Sequence, residues 1–199
     1  MGKTILAVLK FVLGVLLLPV VWVIAVIFYH HVLGFPGTHG EFFIWGVFSY
    51  IMLFLFFHQF GGVYESGQKI CSGFFQFTAP ANGLIAKIVP FYLTLILLGF
   101  CVTTKFLKID SYDHYFMFFS GFAFAMHTIL TAQDLQFDQK MFLKPDYIFT
   151  GAIVFISLIF IAVLLFDLAF GELTVQVVAR SVWKDALNIY YLMFEKLTF

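Results

Sequence analysis

The chain has 199 residues, of which 62% are hydrophobic and 11% are charged, and its net charge is zero. Soluble domains carry about 45–50% apolar and about 25% charged residues, and a soluble domain of this length could not bury so much apolar surface. The composition therefore predicts an all-α polytopic membrane protein. Without net charge or a basic tract, the chain has no electrostatic basis for binding nucleic acid.

Five apolar runs approach the length of a transmembrane helix, and they lie at residues 4–28, 42–57, 84–102, 115–130 and 147–170. We expect the first run to be a retained span, because it is longer than a signal-peptide core and shows no small-residue cleavage site. Pro19 and Pro90 lie inside the first and third runs, and proline inside a helix predicts a kink. The fourth run is short and interrupted by His127. Residues 1–171 are thus predicted to form one transmembrane domain of about five spans.

The connection at residues 58–82 contains four glycines and shows little periodicity. Within it, Phe74, Gln76 and Thr78 alternate with their sequence neighbours. This pattern predicts irregular backbone or short strands, which protein must shield from lipid.

Residues 172–199 differ in character from the preceding spans. Apolar residues recur there every three or four positions, at Val178, Val182, Ala186, Ile189, Met193 and Leu197. Polar residues occupy much of the remainder, at Arg180, Lys184, Asp185, Asn188 and Glu195. This period predicts an amphipathic C-terminal helix that lies in the membrane interface or against a partner.

Four ionisable residues fall within the apolar runs, where charge is costly and therefore informative. Lys10 and Lys87 lie near span ends and can extend their ammonium groups to the interface, and Asp167 can reach the interface as well. His127 lies deeper, and we favour a structural histidine bonded to a neighbouring helix over a ligand. The two cysteines, at positions 71 and 101, show no metal or redox spacing, and a disulfide between them stays open.

The histidines suggest an alternative, a metal or haem site drawn from His30, His31, His39, His58 and His127. A transmembrane haem needs axial histidines at matching depth on facing helices, and the histidines at span ends match the internal one poorly. Zinc-dependent hydrolysis needs three protein ligands and a base, and the chain has no HExxH motif. It also lacks a Ser/His/Asp set, a phosphate-binding glycine loop and a nucleophile elbow.

Several short motifs follow one another in an informative order. They are Phe60-Gly61-Gly62, Asn82-Gly83-Leu84-Ile85-Ala86, Pro90-Phe91-Tyr92, His127-Thr128-Ile129-Leu130-Thr131 and Gln136-Phe137-Asp138. Over residues 42–170 this order resembles the intramembrane metalloproteases of the site-2 type. In that family an HExxH helix precedes a Gly-Gly segment with short strands, and a later acidic residue binds the metal.

The metal motif is where the chain departs from that family. The resemblance places the motif at residues 49–53, where Ser49 and Leu53 replace the two histidine ligands and Tyr50 replaces the glutamate base. A hydroxyl, a leucine and the one acidic candidate, Asp138, cannot hold zinc at useful affinity. The resemblance therefore implies a degenerate, non-catalytic relative without a cofactor.

Three polar residues within the quoted motifs are then expected to be structural hydrogen-bonding groups rather than catalysts: Asn82, His127 and Gln136. A metal held by His58, His127 and Asp138 is the weaker alternative for this region. Such a metal site would require these side chains to converge from distant segments of the sequence.

The expected function is that of a non-enzymatic, multi-pass protein, with the bacterial inner membrane as its expected location. It would be a structural or accessory subunit of a larger hetero-oligomeric membrane complex, or a pseudoprotease that binds other transmembrane segments, with lipids and other transmembrane proteins as its contacts. The first alternative is a histidine-liganded metal or haem protein. The second is a small transporter or channel component, which the scarcity of intramembrane charge and the lack of an internal repeat disfavour.

Overall fold

The computed structural model describes residues 2–57, 60–79, 81–108, 112–139, 145–170 and 175–197. In these ranges the chain forms eight α-helices and no strand: α1 Gly2–Leu33, α2 His39–Phe57, α3 Gly61–Phe74, α4 Asn82–Ile88, α5 Phe91–Cys101, α6 Asp113–Gln139, α7 Pro145–Phe170 and α8 Val175–Leu197. A 3₁₀ turn, Gln76–Thr78, follows α3, and a π turn, Val102–Phe106, extends α5. The predicted all-α polytopic fold is confirmed.

Helices α1, α2, α6 and α7 are each long and apolar enough to cross a membrane. Helices α4 and α5 reach that length only together, and they are bent by 57° at the break between them. Pro90 lies in this break, and because it has no backbone N–H it cannot continue α4. The chain is therefore a multi-pass integral membrane protein with four or five spans, in line with the predicted five.

The helix bundle has two distinguishable ends. The upper end holds the last residues of α1 and α7 and the first residues of α2 and α6. The lower end holds α3 and α4 together with the last residues of α2 and α6. Phenylalanine rings fill the space between helices, with Phe28 against Phe43 and Phe124, and Phe166 against Phe35 and Phe43.

The prediction of short strands at residues 58–82 is wrong. Residues Gly61–Phe74 form α3, and the alternating residues after it form the 3₁₀ turn. Tyr64, Gly67 and Cys71 are buried at helical spacings of three and four residues, so one face of α3 packs on the bundle. This packing stabilises a helix that its glycines would disfavour in isolation.

The predicted interruption and early end of the fourth span are also wrong. Helix α6 continues through His127 to Gln139. His127, Thr131 and Asp134 follow one another at spacings of four and three residues, so they lie on one helical face. That face meets α3 and α4, and the polar contacts described below hold the extra turns in place.

Helix α8 is amphipathic, as predicted, but its apolar face packs on α1 and not in the membrane interface, one of the two positions that its sequence predicted. Val178, Val182 and Ala186 are buried. At its start, the N–H of Val175 donates to the Asp167 carboxylate of α7, 2.7 Å away. Asp167 thus satisfies one of the N–H groups that a helix N-terminus leaves unpaired.

Further along α8, the Tyr190 hydroxyl donates to a backbone carbonyl in the middle of α1, that of Leu16. Helix α8 therefore starts at the upper end of the bundle and runs back alongside α1. Pro19 lies one turn beyond the carbonyl that accepts this hydrogen bond and has no N–H to donate within α1, so the neighbouring turn of α1 is short of helical donors.

Candidate functional site

A cluster of polar side chains lies at the lower end of the bundle, where α3 and α4 meet α6. Its members, which we call the polar cluster, are Tyr64, Lys87, His127, Thr131 and Asp134. Sequence reasoning identified His127 and Lys87. It placed Asp134 beyond the end of the fourth apolar run and did not single out Tyr64.

His127 is the most deeply buried member of the polar cluster, with 4% of its surface exposed. Its Nε2 atom lies 2.9 Å from the backbone carbonyl oxygen of Lys87. The carbonyls in the last turn of α4 lack helical donors, because the chain bends away at Pro90. A carbonyl can only accept, so Nε2 carries the hydrogen and His127 caps the broken helix.

Lys87 and Asp134 form an ion pair, with 3.0 Å between Nζ and Oδ2. The Lys87 side chain is 17% exposed and that of Asp134 is 42% exposed, so water or lipid headgroups screen the pair. Pairs of this kind stabilise by about 0–1 kcal/mol. The lysine that was expected to extend to the interface is thus bound to α6.

The hydroxyls of Tyr64 and Thr131 are 2.9 Å apart and share a hydrogen bond, and the Tyr64 ring lies 5.7 Å from the ring of His127. Tyr64 therefore ties α3 to α6 just as His127 ties α4 to α6. The polar atoms of these contacts face one another across helix boundaries. Their arrangement suits holding helices together rather than activating a water molecule.

The position of the family's metal motif is an aromatic core. Tyr50 is fully buried at 0% exposure, and the rings of Phe54, Phe60 and Phe122 surround it at 5.1–6.0 Å. Within the described residues its hydroxyl has no hydrogen-bond partner. The described neighbours of Tyr50 are thus aromatic rings, which offer no ligand to a metal ion.

The remaining predicted metal ligands do not converge within the described structure. No group of three His, Cys, Asp or Glu residues that could hold a metal ion occurs in it. His58 lies outside the described residues, and so does the side chain of Asp138, whose backbone belongs to α6. His30 and His31 lie at the upper end of the bundle, whereas His127 lies toward the lower end.

The other polar candidates have local or exposed positions. Asn82 begins α4, where its Oδ1 accepts the N–H of Gly83 at 2.8 Å. Gln136 is exposed in the C-terminal part of α6. Cys71 and Cys101 are both free thiols, and burial raises the pKa of the Cys71 thiol.

An apolar groove of about 360 Å³ opens beside the polar cluster, between α1, α6 and α7. We call it the lateral groove. Small residues form much of its wall, with Thr128 and Ala132 on α6 and Gly151 and Ala152 on α7. Leu18 of α1, on its rim, is exposed, so the groove opens sideways toward lipid. Sequence reasoning missed it, although small residues four apart on α6 were a readable signal.

No protein-family model, curated protein or solved structure matches this chain. The resemblance to site-2-type metalloproteases thus rests on the short motifs alone. Its Gly-Gly segment is helical here, which removes the expected strands from the resemblance. Function therefore has to be argued from the contacts of this chain.

Proposed function

We propose that this chain is a non-catalytic membrane protein that binds one apolar transmembrane helix of a partner protein in its lateral groove. The observation that carries the proposal is the row of small residues along the groove. Helix association in membranes depends on close van der Waals packing, and small residues let two backbones approach each other. Thr128 and Ala132, four residues apart, present such a surface on α6, and Gly151 extends it on α7.

The chemistry of the groove favours packing over polar recognition. The Thr128 hydroxyl donates to the carbonyl of Phe124, 2.8 Å away, and the Thr131 hydroxyl is paired with Tyr64. Both threonine hydroxyls of the groove are therefore engaged within the chain, which suits an apolar occupant.

The length of the groove suits a helix as well. On α7 it extends from Tyr147 to Leu158, three helical turns or about 17 Å. That is about half the hydrocarbon thickness of a bilayer, so a partner helix would contact this chain over half of its span.

Binding of a transmembrane helix agrees with the resemblance to site-2-type metalloproteases whose metal motif has been lost. Proteases that cut inside membranes have to bind transmembrane segments before cleaving them, and a relative without ligands at Ser49 and Leu53 would retain binding alone. The aromatic packing around Tyr50 supports the absence of catalysis, since aromatic rings offer no ligand to a metal ion. Such a protein would act as a pseudoprotease or as an accessory subunit of a larger assembly, and the bacterial inner membrane stays its expected location.

Site-specific photo-crosslinking in native membranes tests this proposal. A photoreactive side chain at Gly151 projects into the groove, because nothing lies within 4 Å of a Cβ built there. The matched control is Leu164 on the same helix, which is 47% exposed and lies outside the groove lining.

We expect the probe at Gly151 to label one polypeptide, and mass spectrometry to map the label to an apolar segment of about 18 residues or more. The control position should yield no such adduct. Adducts to phospholipid alone at Gly151, or the same protein adduct from Leu164, would refute helix binding in the groove.

A further inference from the structure

The middle of α8 lies at the height of the middle of α1. Asp185, Asn188 and Ile189 border a shallow groove of about 220 Å³ whose other wall includes Trp22 and Val26. The part of α1 that is long and apolar enough to cross a membrane runs from Ile5 to Leu33, and Trp22 and Val26 lie within it. Helix α8 thus lies alongside the middle of a helix that is able to cross a membrane, rather than across the end of the bundle.

Three exposed polar side chains lie together on one flank of α8, beside the groove to α1, and we call them the polar triangle. Lys184 precedes Asn188 by four residues and Asp185 precedes it by three, so all three share one helical face. Each is exposed, while Val178, Val182 and Ala186 occupy the face buried on α1. Polar groups at membrane depth normally face protein or a water-filled cavity, and in a single chain this face points outward.

We propose that the polar triangle is an interface between two copies of this chain, which associate through α8 around a two-fold axis along the membrane normal. Two copies inserted in the same direction place their α8 helices parallel to each other. In a two-fold pair the same surface patch faces itself, so the left flank of one helix meets the right flank of the other.

The charges of the polar triangle fit this symmetry. Lys184 and Asp185 flank Asn188 on opposite sides and differ in height by one residue, about 1.5 Å. The symmetry brings Lys184 of each copy to the Asp185 of the other, which gives two equivalent ion pairs. The same logic lets flanking charges select partners in parallel coiled coils.

Asn188 then lies at the centre of the interface, opposite its own counterpart. A carboxamide both donates and accepts, so two facing Asn188 side chains can bond to each other within the membrane. Trp22, 68% exposed beside this face, adds apolar area at the edge. An unrelated partner helix would need a separate set of complementary charges, whereas this chain carries both signs itself.

Exchanging the charges of Lys184 and Asp185 distinguishes self-association from binding to a different partner. The measurement is Förster transfer between labelled copies in lipid vesicles, followed as the chain is diluted with lipid. Lys184→Asp and Asp185→Lys each remove both ion pairs and place like charges together, and each should weaken self-association at least about tenfold. The double variant restores both pairs with their signs exchanged and should associate within about threefold of the natural chain.

Two matched control variants test whether the effect is specific to the polar triangle. Gln176→Asp changes the charge of an exposed α8 residue outside the polar triangle, and Gly151→Phe fills the lateral groove; both should self-associate like the natural chain. An energy-transfer signal that is absent in the natural chain, unchanged by the single variants or not restored by the double variant would overturn the proposal. Circular dichroism and gel filtration show that each variant is folded.

Discussion

The close crossing of α2 and α6 gives the sharpest test of the fold. A Cβ added at Gly46 would lie 1.9 Å from the carbonyl oxygen of Phe118, and one added at Gly121 would lie 2.0 Å from that of Phe43. Both obstacles are backbone atoms of a facing helix, so no side-chain rotation can remove them. Gly46→Ala would have to move the helices from 1.9 Å to the 3.4 Å of an ordinary contact, a separation of about 1.5 Å.

The cost of that separation follows from the contacts it weakens. A gap of about 0.5–1 Å already forfeits a quarter to a half of the dispersion energy of the contacts across it, and strained insertion of a methyl group into a packed core costs about 1–3 kcal/mol. Because Tyr50 and Met117 are fully buried near this crossing, we expect Gly46→Ala and Gly121→Ala each to cost about 3 kcal/mol.

Unfolding of the purified protein by a denaturing detergent, followed by fluorescence and circular dichroism, measures this loss. The matched control is Gly151→Ala, in a spanning helix where nothing lies within 4 Å of the new Cβ. That variant should be neutral or gain about 0.5–1 kcal/mol from helix propensity. If Gly46→Ala were as stable as Gly151→Ala, the described crossing of α2 and α6 would be wrong.

Three further predictions concern single side chains. Tyr64→Phe should lower the free energy of unfolding by about 1 kcal/mol, because it removes a hydrogen bond to α6. Tyr50→Phe should leave that free energy unchanged, because the Tyr50 hydroxyl is unpaired among the described residues; the same detergent unfolding distinguishes the two variants. Cys71 should react with a maleimide far more slowly than Cys101, since it is buried with a raised pKa; equal rates would contradict this. Asp167→Ala should speed proteolysis at α8, because the Asp167 carboxylate caps the start of that helix. An unchanged cleavage rate would show that this cap does not stabilise α8.

The sequence predicted the parts of the fold that depend on composition and length. A membrane helix has to satisfy its own backbone and present about 20 apolar residues, so four of the five predicted runs became complete spanning helices. The third run is split by Pro90, whose effect the sequence signalled as a kink. Amphipathic periodicity likewise identified α8 from its own residues.

The parts that depend on neighbours were not predictable in the same way. Glycines predicted irregular backbone or short strands at residues 58–82, yet the packing of Tyr64 and Cys71 against the bundle keeps residues 61–74 helical. The polar cluster could be predicted only if Asp134 were known to lie on α6. The sequence around Asp134 is as polar as that of a loop, so it does not indicate the continuing helix. The lateral groove arises between helices that are distant in the chain. The small residues four apart on α6 indicated a packing surface, but not the space between α1, α6 and α7.

The central claim, that a partner helix occupies the lateral groove, is tested most directly by native mass spectrometry of the protein extracted from its own membrane in mild detergent. The natural chain should carry one other polypeptide at fixed stoichiometry, and Gly151→Phe should lose it. Gly62→Phe, at an exposed glycine with nothing within 4 Å of a new Cβ, should retain it. A natural chain that carries only lipid, or a partner that survives Gly151→Phe, would contradict the claim.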